Sequence, residues 1–122
     1  MNTEVTELTI NGIIYVPKDS LAEIVNEKGI PYVLCRTYSA GVFAGLLESR
    51  NGQEVIMRNA RRIWYWTGAA SLSELSVHGT KTPNTCKFPC AVNKIELTQV
   101  IEVLHCTEKA KKSIEEVKIW TA

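Results

Sequence analysis

The sequence predicts an α+β domain: an antiparallel β-sheet of meander type with short flanking helices, an N-terminal β-hairpin and a C-terminal helix. β-prone runs recur between Tyr32 and Trp66 with turn residues between them. Two serine capping boxes, Ser20-Leu21-Ala22-Glu23 and Ser71-Leu72-Ser73-Glu74, each open a short amphipathic stretch. Near the end of the chain, Ala110, Ile114 and Val117 are spaced as one apolar helical stripe.

In chain order, Leu8 to Pro17 holds two β-prone runs around Asn11-Gly12, a pair suited to the positive φ angles of a type I′ hairpin turn. A helix over about 20–28 follows, stopped by Gly29. From Pro31 the chain changes character. Strands are predicted over 32–38, 42–48, 54–58 and 61–66, the second and third joined through Asn51-Gly52. In the last of them Arg62, Trp64 and Trp66 share one face and Arg61, Ile63 and Tyr65 the other, and neither is plainly the solvent face. A helix from Ser71 to about Gly79, a polar loop from Thr80 to Pro89, one further strand pattern from Lys94 to His105 and a helix capped by Thr107 complete the chain. This organisation divides into residues 1–30, an accessory hairpin and helix, and 31–122, a single α+β domain.

The chain has 122 residues, 14 basic against 13 acidic side chains and 45% hydrophobic residues. That is the size of one domain with one modest core. No run has the length of a membrane span, and Glu4 and Glu7 stand where a signal peptide needs basic and then apolar residues. A balanced charge argues against a general nucleic-acid binder. Cys35, Cys86, Cys90 and Cys106 are too few for a disulfide framework and read as free thiols. A zinc site from Cys86, Cys90, His105 and Cys106 is disfavoured, because adjacent residues on a strand point to opposite faces. No metal or cofactor is expected.

No catalytic constellation stands out. Neither His78 nor His105 lies in a nucleophile or zinc motif, and Asp19 is the only aspartate. Binding chemistry is better represented. Arg58, Arg61 and Arg62 lie next to Trp64-Tyr65-Trp66, setting guanidinium forks beside flat π faces, which suits a phosphate together with a nucleobase. The same residues also suit an ordinary sheet with aromatic core residues. Gly68, Ala69 and Ser71 precede a capped helix whose free N–H groups could receive an anion, although Ser71 is equally explained as an N-cap. Arg36, Ser39 and Gly41 offer a fork, a hydroxyl and close backbone approach in another turn, before Phe43. A local arginine cluster in a neutral protein suggests a small anion in preference to a polymer.

The stretches Arg36 to Gly45, Asn59 to Leu75 and Val103 to Ala110 resemble a family of small proteins of tailed phages and prophages, similar to the Thoeris anti-defence sponge family. The resemblance covers roughly residues 31–120. It implies a protein in the cytoplasm of an infected bacterium that binds and sequesters a cyclic ADP-ribose isomer, and by extension cyclic oligonucleotides. The ligand would be held without cleavage, in pockets between subunits of a homo-oligomer, with no membrane or nucleic-acid polymer as partner. Phe88, Asn93 and Lys109 complete the candidate ligand set as a loop aromatic, an amide and a helix cation. The competing readings are a phage structural or assembly protein that buries its Arg/Trp surface between subunits and a cyclic-nucleotide hydrolase, the latter disfavoured by the scarcity of general bases.

Overall fold

The structure is a computed structural model and describes residues 29–122. The predicted N-terminal hairpin and the helix over 20–28 lie outside the described residues. Five strands form one antiparallel sheet: β1 (Tyr32–Thr37), β2 (Val42–Asn51), β3 (Glu54–Arg62), β4 (Val92–Leu97) and β5 (Val100–His105), in the order β4-β3-β2-β1-β5. Two helices accompany it, α1 (Leu72–His78) and α2 (Glu108–Glu115), with a 3-10 turn at Pro83–Thr85. The α+β class and the antiparallel meander are as the sequence predicts.

Two strand expectations are corrected. The single pattern from Lys94 to His105 breaks at Thr98 and Gln99 into β4 and β5, which sit on opposite edges of the sheet. Three Cα–Cα steps span at most about 11 Å, so the edges must approach each other at that end and the sheet coils into a partly closed barrel. Val100 N–H donates to the Gln53 carbonyl at 3.0 Å and Tyr38 N–H to that of Gln99 at 2.9 Å, holding the link across the opening. Inside the coil lie Val33, Cys35, Phe43, Val55, Met57, Ala60, Leu97 and Val100.

The second correction concerns the predicted strand over 61–66. β3 runs continuously to Arg62, and only Tyr65 beyond it pairs, in an isolated bridge with Lys87. Inside β3, Asn59 with a φ of 52° interrupts the pleat without ending the strand. Without that extra residue Arg61 would share the interior face with Val55 and Met57. With it, Ala60 takes the interior position and Arg61 turns to the opposite side. Gly45 lies across from this irregularity, where a Cβ would come within 2.8 Å of the Ala60 Cα. Close backbone approach, not turn geometry, requires glycine there.

The other face of the sheet carries the helices. Tyr32, Leu34, Ala44 and Ile63 pack with Leu75 of α1, Ala110 and Ile114 of α2, and Phe88, Cys106 and Val117. Each fully buried large side chain contributes about 1.5–3 kcal/mol. β1 is consequently apolar on both faces, which explains its unbroken buried run. Both helices start as their capping residues require: Ser71 Oγ accepts from Glu74 N–H at 3.1 Å and Thr107 Oγ1 from Ala110 N–H at 3.1 Å. Gly79, with φ 77°, ends α1 against Ser113 of α2, and Thr107 Oγ1 donates to the Val77 carbonyl at 2.7 Å.

A candidate binding surface built on an aromatic ribbon

Beyond β3 three short segments lie side by side. Tyr65 and Lys87 exchange backbone hydrogen bonds of 3.3 and 2.8 Å, and Trp120 N–H donates to the Phe88 carbonyl at 3.0 Å. The resulting ribbon presents Trp64, Tyr65, Ile119 and Trp120 outward, with Trp64 58% exposed. Trp64 and Trp120 stack with ring centroids 5.1 Å apart and planes 11° from parallel. The Lys87 ammonium lies 5.5 Å from the Trp64 ring centre and 5.7 Å from those of Tyr65 and Trp120. A cation over π faces contributes about 0.5–1 kcal/mol when exposed.

Arg61 lies beneath this ribbon and is buried. Its Nε donates to the Pro89 carbonyl at 3.0 Å, Nη1 to Ile114 at 2.9 Å and Nη2 to Phe88 at 2.7 Å. The guanidinium also sits 5.4 Å from the Phe88 ring centre. Burial draws its pKa below the usual arginine value, yet the group stays cationic. Its donors reach the loop strand and the carbonyl end of α2, where a helix favours positive charge. Arg61 therefore positions the segments that bring Trp64 and Trp120 together, with three of its five N–H donors spent on backbone carbonyls. Phe88, offered by the sequence as a loop aromatic, is fully buried below the ribbon.

The other candidates fall into separate places. At the turn between β1 and β2, Arg62 Nη1 donates to the Ala40 carbonyl at 2.6 Å while its guanidinium lies 4.5 Å from the centre of the buried Phe43 ring. Near it, Arg36 pairs with Glu102 at 2.7 Å, Ser39 Oγ donates to Gln99 Oε1 at 3.2 Å, and Gly41 adopts φ 99°. Arg58 pairs with Glu48 and holds that carboxyl below its ordinary pKa, chiefly through the hydrogen bond. Asn93 on β4 and Lys109 on α2 are exposed. These groups do not converge with the ribbon into one pocket.

The turn from Gly68 to Ser71 is closed on itself. Trp66 Nε1 donates to the Ala69 carbonyl at 3.2 Å, and the Glu74 carboxylate accepts from Ala70 N–H at 2.9 Å, so a side chain of the protein already takes the place of an anion there. A Cβ on Gly68, whose φ is 80°, would lie 2.6 Å from Thr80 and Thr82. Thr67, Thr80, Thr82, Thr85 and Cys86 fill that space with a hydroxyl and thiol network, including Thr67 Oγ1 to Thr82 Oγ1 at 2.6 Å and Thr80 Oγ1 to the Thr67 carbonyl at 2.5 Å.

Sequence reasoning left out Tyr65, Lys87 and Trp120 as site residues. The expected alternation also fails at its end: Tyr65 is exposed like Trp64, while Trp66 is half-buried. The signal for Trp120 was only its identity as a bulky aromatic in a polar tail. Of the cysteines, Cys35, Cys86 and Cys106 are buried and Cys90 is exposed. Desolvation pushes the Cys35 and Cys106 thiols up to about 12.

Residues 30–114 match a domain of unknown function, DUF6948. The chain belongs to this family. Trp64, Tyr65, Lys87 and Arg61 lie within the matched region, and Ile119 and Trp120 follow it. No curated protein and no solved structure matches the chain. No helix among the described residues is long and apolar enough to cross a membrane.

Proposed function

We propose that this DUF6948 chain is a binding protein that holds a nucleotide-type ligand without turning it over. Following the resemblance, its role is that of a phage anti-defence sponge, sequestering a cyclic ADP-ribose isomer or a related cyclic nucleotide in the bacterial cytoplasm. One observation carries the reading: the exposed, parallel Trp64–Trp120 pair with the Lys87 ammonium beside it. A centroid separation of 5.1 Å leaves no room for a base between the rings. A base instead stacks on an outer face, gaining about 1–3 kcal/mol, with Lys87 near its phosphate. Nanomolar capture requires about −12 kcal/mol, far more than one open stacking face supplies. A second copy of the chain covering the ligand makes up the difference, which is why the proposal includes a homo-oligomer.

The exposed Trp64, Tyr65, Ile119 and Trp120 also favour a second reading, a phage assembly protein that buries them between subunits. Thermal unfolding with cyclic ADP-ribose isomers and cyclic oligonucleotides, followed by chromatography of the ligand released on heating, separates the readings. The sponge reading expects a concentration-dependent rise in Tm with intact ligand recovered, lost in Trp64→Ala. Oligomerisation with no ligand effect would support the assembly protein, and recovery of altered ligand would make the protein an enzyme.

A further inference from the structure

A cleft of about 280 Å³ opens between β1, β3 and the end of α2, lined by Tyr32, Asn59, Arg61, Glu115 and Ile119 among others. Two of its buried polar side chains have hydrogen-bonding capacity to spare. Arg61 carries five N–H donors, and three of them are used on backbone carbonyls, so one on each Nη is left. No carboxylate among the described residues lies within ion-pair distance of Arg61. The Tyr32 side chain is 2% exposed, and its hydroxyl has no hydrogen-bond partner among the described residues. A buried cation without a counterion and a buried phenol without a partner are both costly, and both are relieved by an anionic oxygen that accepts from each.

We propose that this cleft is an oxyanion site that takes the phosphoryl group of the ligand, with Tyr32 Oη and the Arg61 Nη groups as donors. The cleft is roomy enough for a phosphate or pyrophosphate. The remainder of the ligand has a route outward: Ile119 lines the cleft and the next residue, Trp120, forms the stacking surface. As a phosphate subsite the proposal rests on the nucleotide reading; as an oxyanion site it stands alone. Glu115, paired with Lys111 at 3.2 Å, opposes an anion in the cleft, the more so the higher the anion's charge.

The probe is inorganic pyrophosphate, measured by calorimetry and thermal shift on the full chain and compared with cyclic ADP-ribose. Tyr32→Phe removes a hydroxyl that has no partner among the described residues, so unliganded Tm is expected to stay at the wild-type value while pyrophosphate affinity falls about tenfold or more. Glu115→Gln is expected to raise it about threefold, and Trp64→Ala to leave it unchanged. Equal binding by wild type and Tyr32→Phe, or no binding by wild type, overturns the proposal. Should Tyr32→Phe fail to fold, Glu115→Gln decides alone, and an unchanged affinity is then the overturning result. If pyrophosphate obeys these expectations but cyclic ADP-ribose binds no more tightly, the stacking reading fails and the oxyanion site stands. If cyclic ADP-ribose binding depends on Trp64 and is indifferent to Tyr32→Phe, the stacking reading stands and the oxyanion site falls.

Discussion

Replacing Arg61 with methionine keeps most of the side-chain volume and deletes all three hydrogen bonds to Pro89, Ile114 and Phe88. The three acceptors are not equal. The Phe88 carbonyl keeps Trp120 N–H at 3.0 Å and the Ile114 carbonyl keeps Val117 N–H at 3.2 Å, whereas the Pro89 carbonyl has no other donor among the described residues. One orphaned carbonyl costs about 1–3 kcal/mol, and weakening the other two adds about 1 kcal/mol. Against this, methionine removes the desolvation of a cation, returning about 1 kcal/mol or more. The expected net loss is about 2 kcal/mol, or about 10 °C in Tm for a domain of this size. Urea unfolding followed by far-UV circular dichroism measures the loss. Tryptophan emission before the transition reads the ribbon directly, because Trp64 and Trp120 depend on the segments that Arg61 ties down. A stability within about 0.5 kcal/mol of wild type, or a destabilised protein whose native emission is unchanged, would refute the positioning role.

Gly45→Ala is expected to destabilise by about 3 kcal/mol or prevent folding, since its Cβ would meet backbone atoms of Arg58 and Ala60 at 3.0 Å and less; denaturant melts check this against Gly52→Ala, whose site is open and whose cost is limited to about 1–2 kcal/mol for a side chain at φ 64°. Trp120→Ala should abolish the near-UV circular dichroism of the stacked pair while moving Tm by only about 1 kcal/mol equivalent. At pH 8, an aromatic disulfide reagent should titrate one thiol per native chain, Cys90, and four after denaturation. Because burial raises Cys35 and Cys106 from about 9 to about 12, the unfolded chain loses their protons first. The contribution of these two thiols should therefore be constant below about pH 9 and fall by about 1.4 kcal/mol per pH unit per thiol as the pH rises toward 12, which urea midpoints from about pH 8 upward would show.

The parts of the fold legible in the sequence were those decided within a few residues. The capping hydroxyls of Ser71 and Thr107 act on amides three positions away, and Asn51-Gly52 turns β2 into β3 because of local φ preferences alone. The break between β4 and β5 was not legible, since Thr98 and Gln99 carry no turn signature and are placed by the edges they bridge. Asn59 was legible as a break, since strands were predicted on either side of it and asparagine tolerates positive φ, but that the break lies inside one continuous strand and decides which way Arg61 points was not. For the same reason the arginine cluster, contiguous in the chain, is dispersed in space, with Arg58 on Glu48, Arg61 inward and Arg62 on Phe43. Trp120 acquires its role only through pairing of residues 119 and 120 with Phe88, a tertiary event that no periodicity announces.

The strand order has a consequence for how the protein is made. Arg36 and Glu102, which face each other across β1 and β5, are separated by 66 residues. On a translating ribosome β1, β2 and β3 emerge and pair early, but the free edge of β1 stays uncovered until His105 has cleared the exit tunnel. That edge belongs to the most apolar strand of the domain, buried on both faces in the finished protein. An unpaired apolar edge is a template for foreign strands, so the interval between synthesis of β3 and of β5 is when the nascent chain most needs chaperone cover. Synonymous codons that slow elongation across residues 63–105 should then lower soluble yield without changing the stability of the protein that does fold.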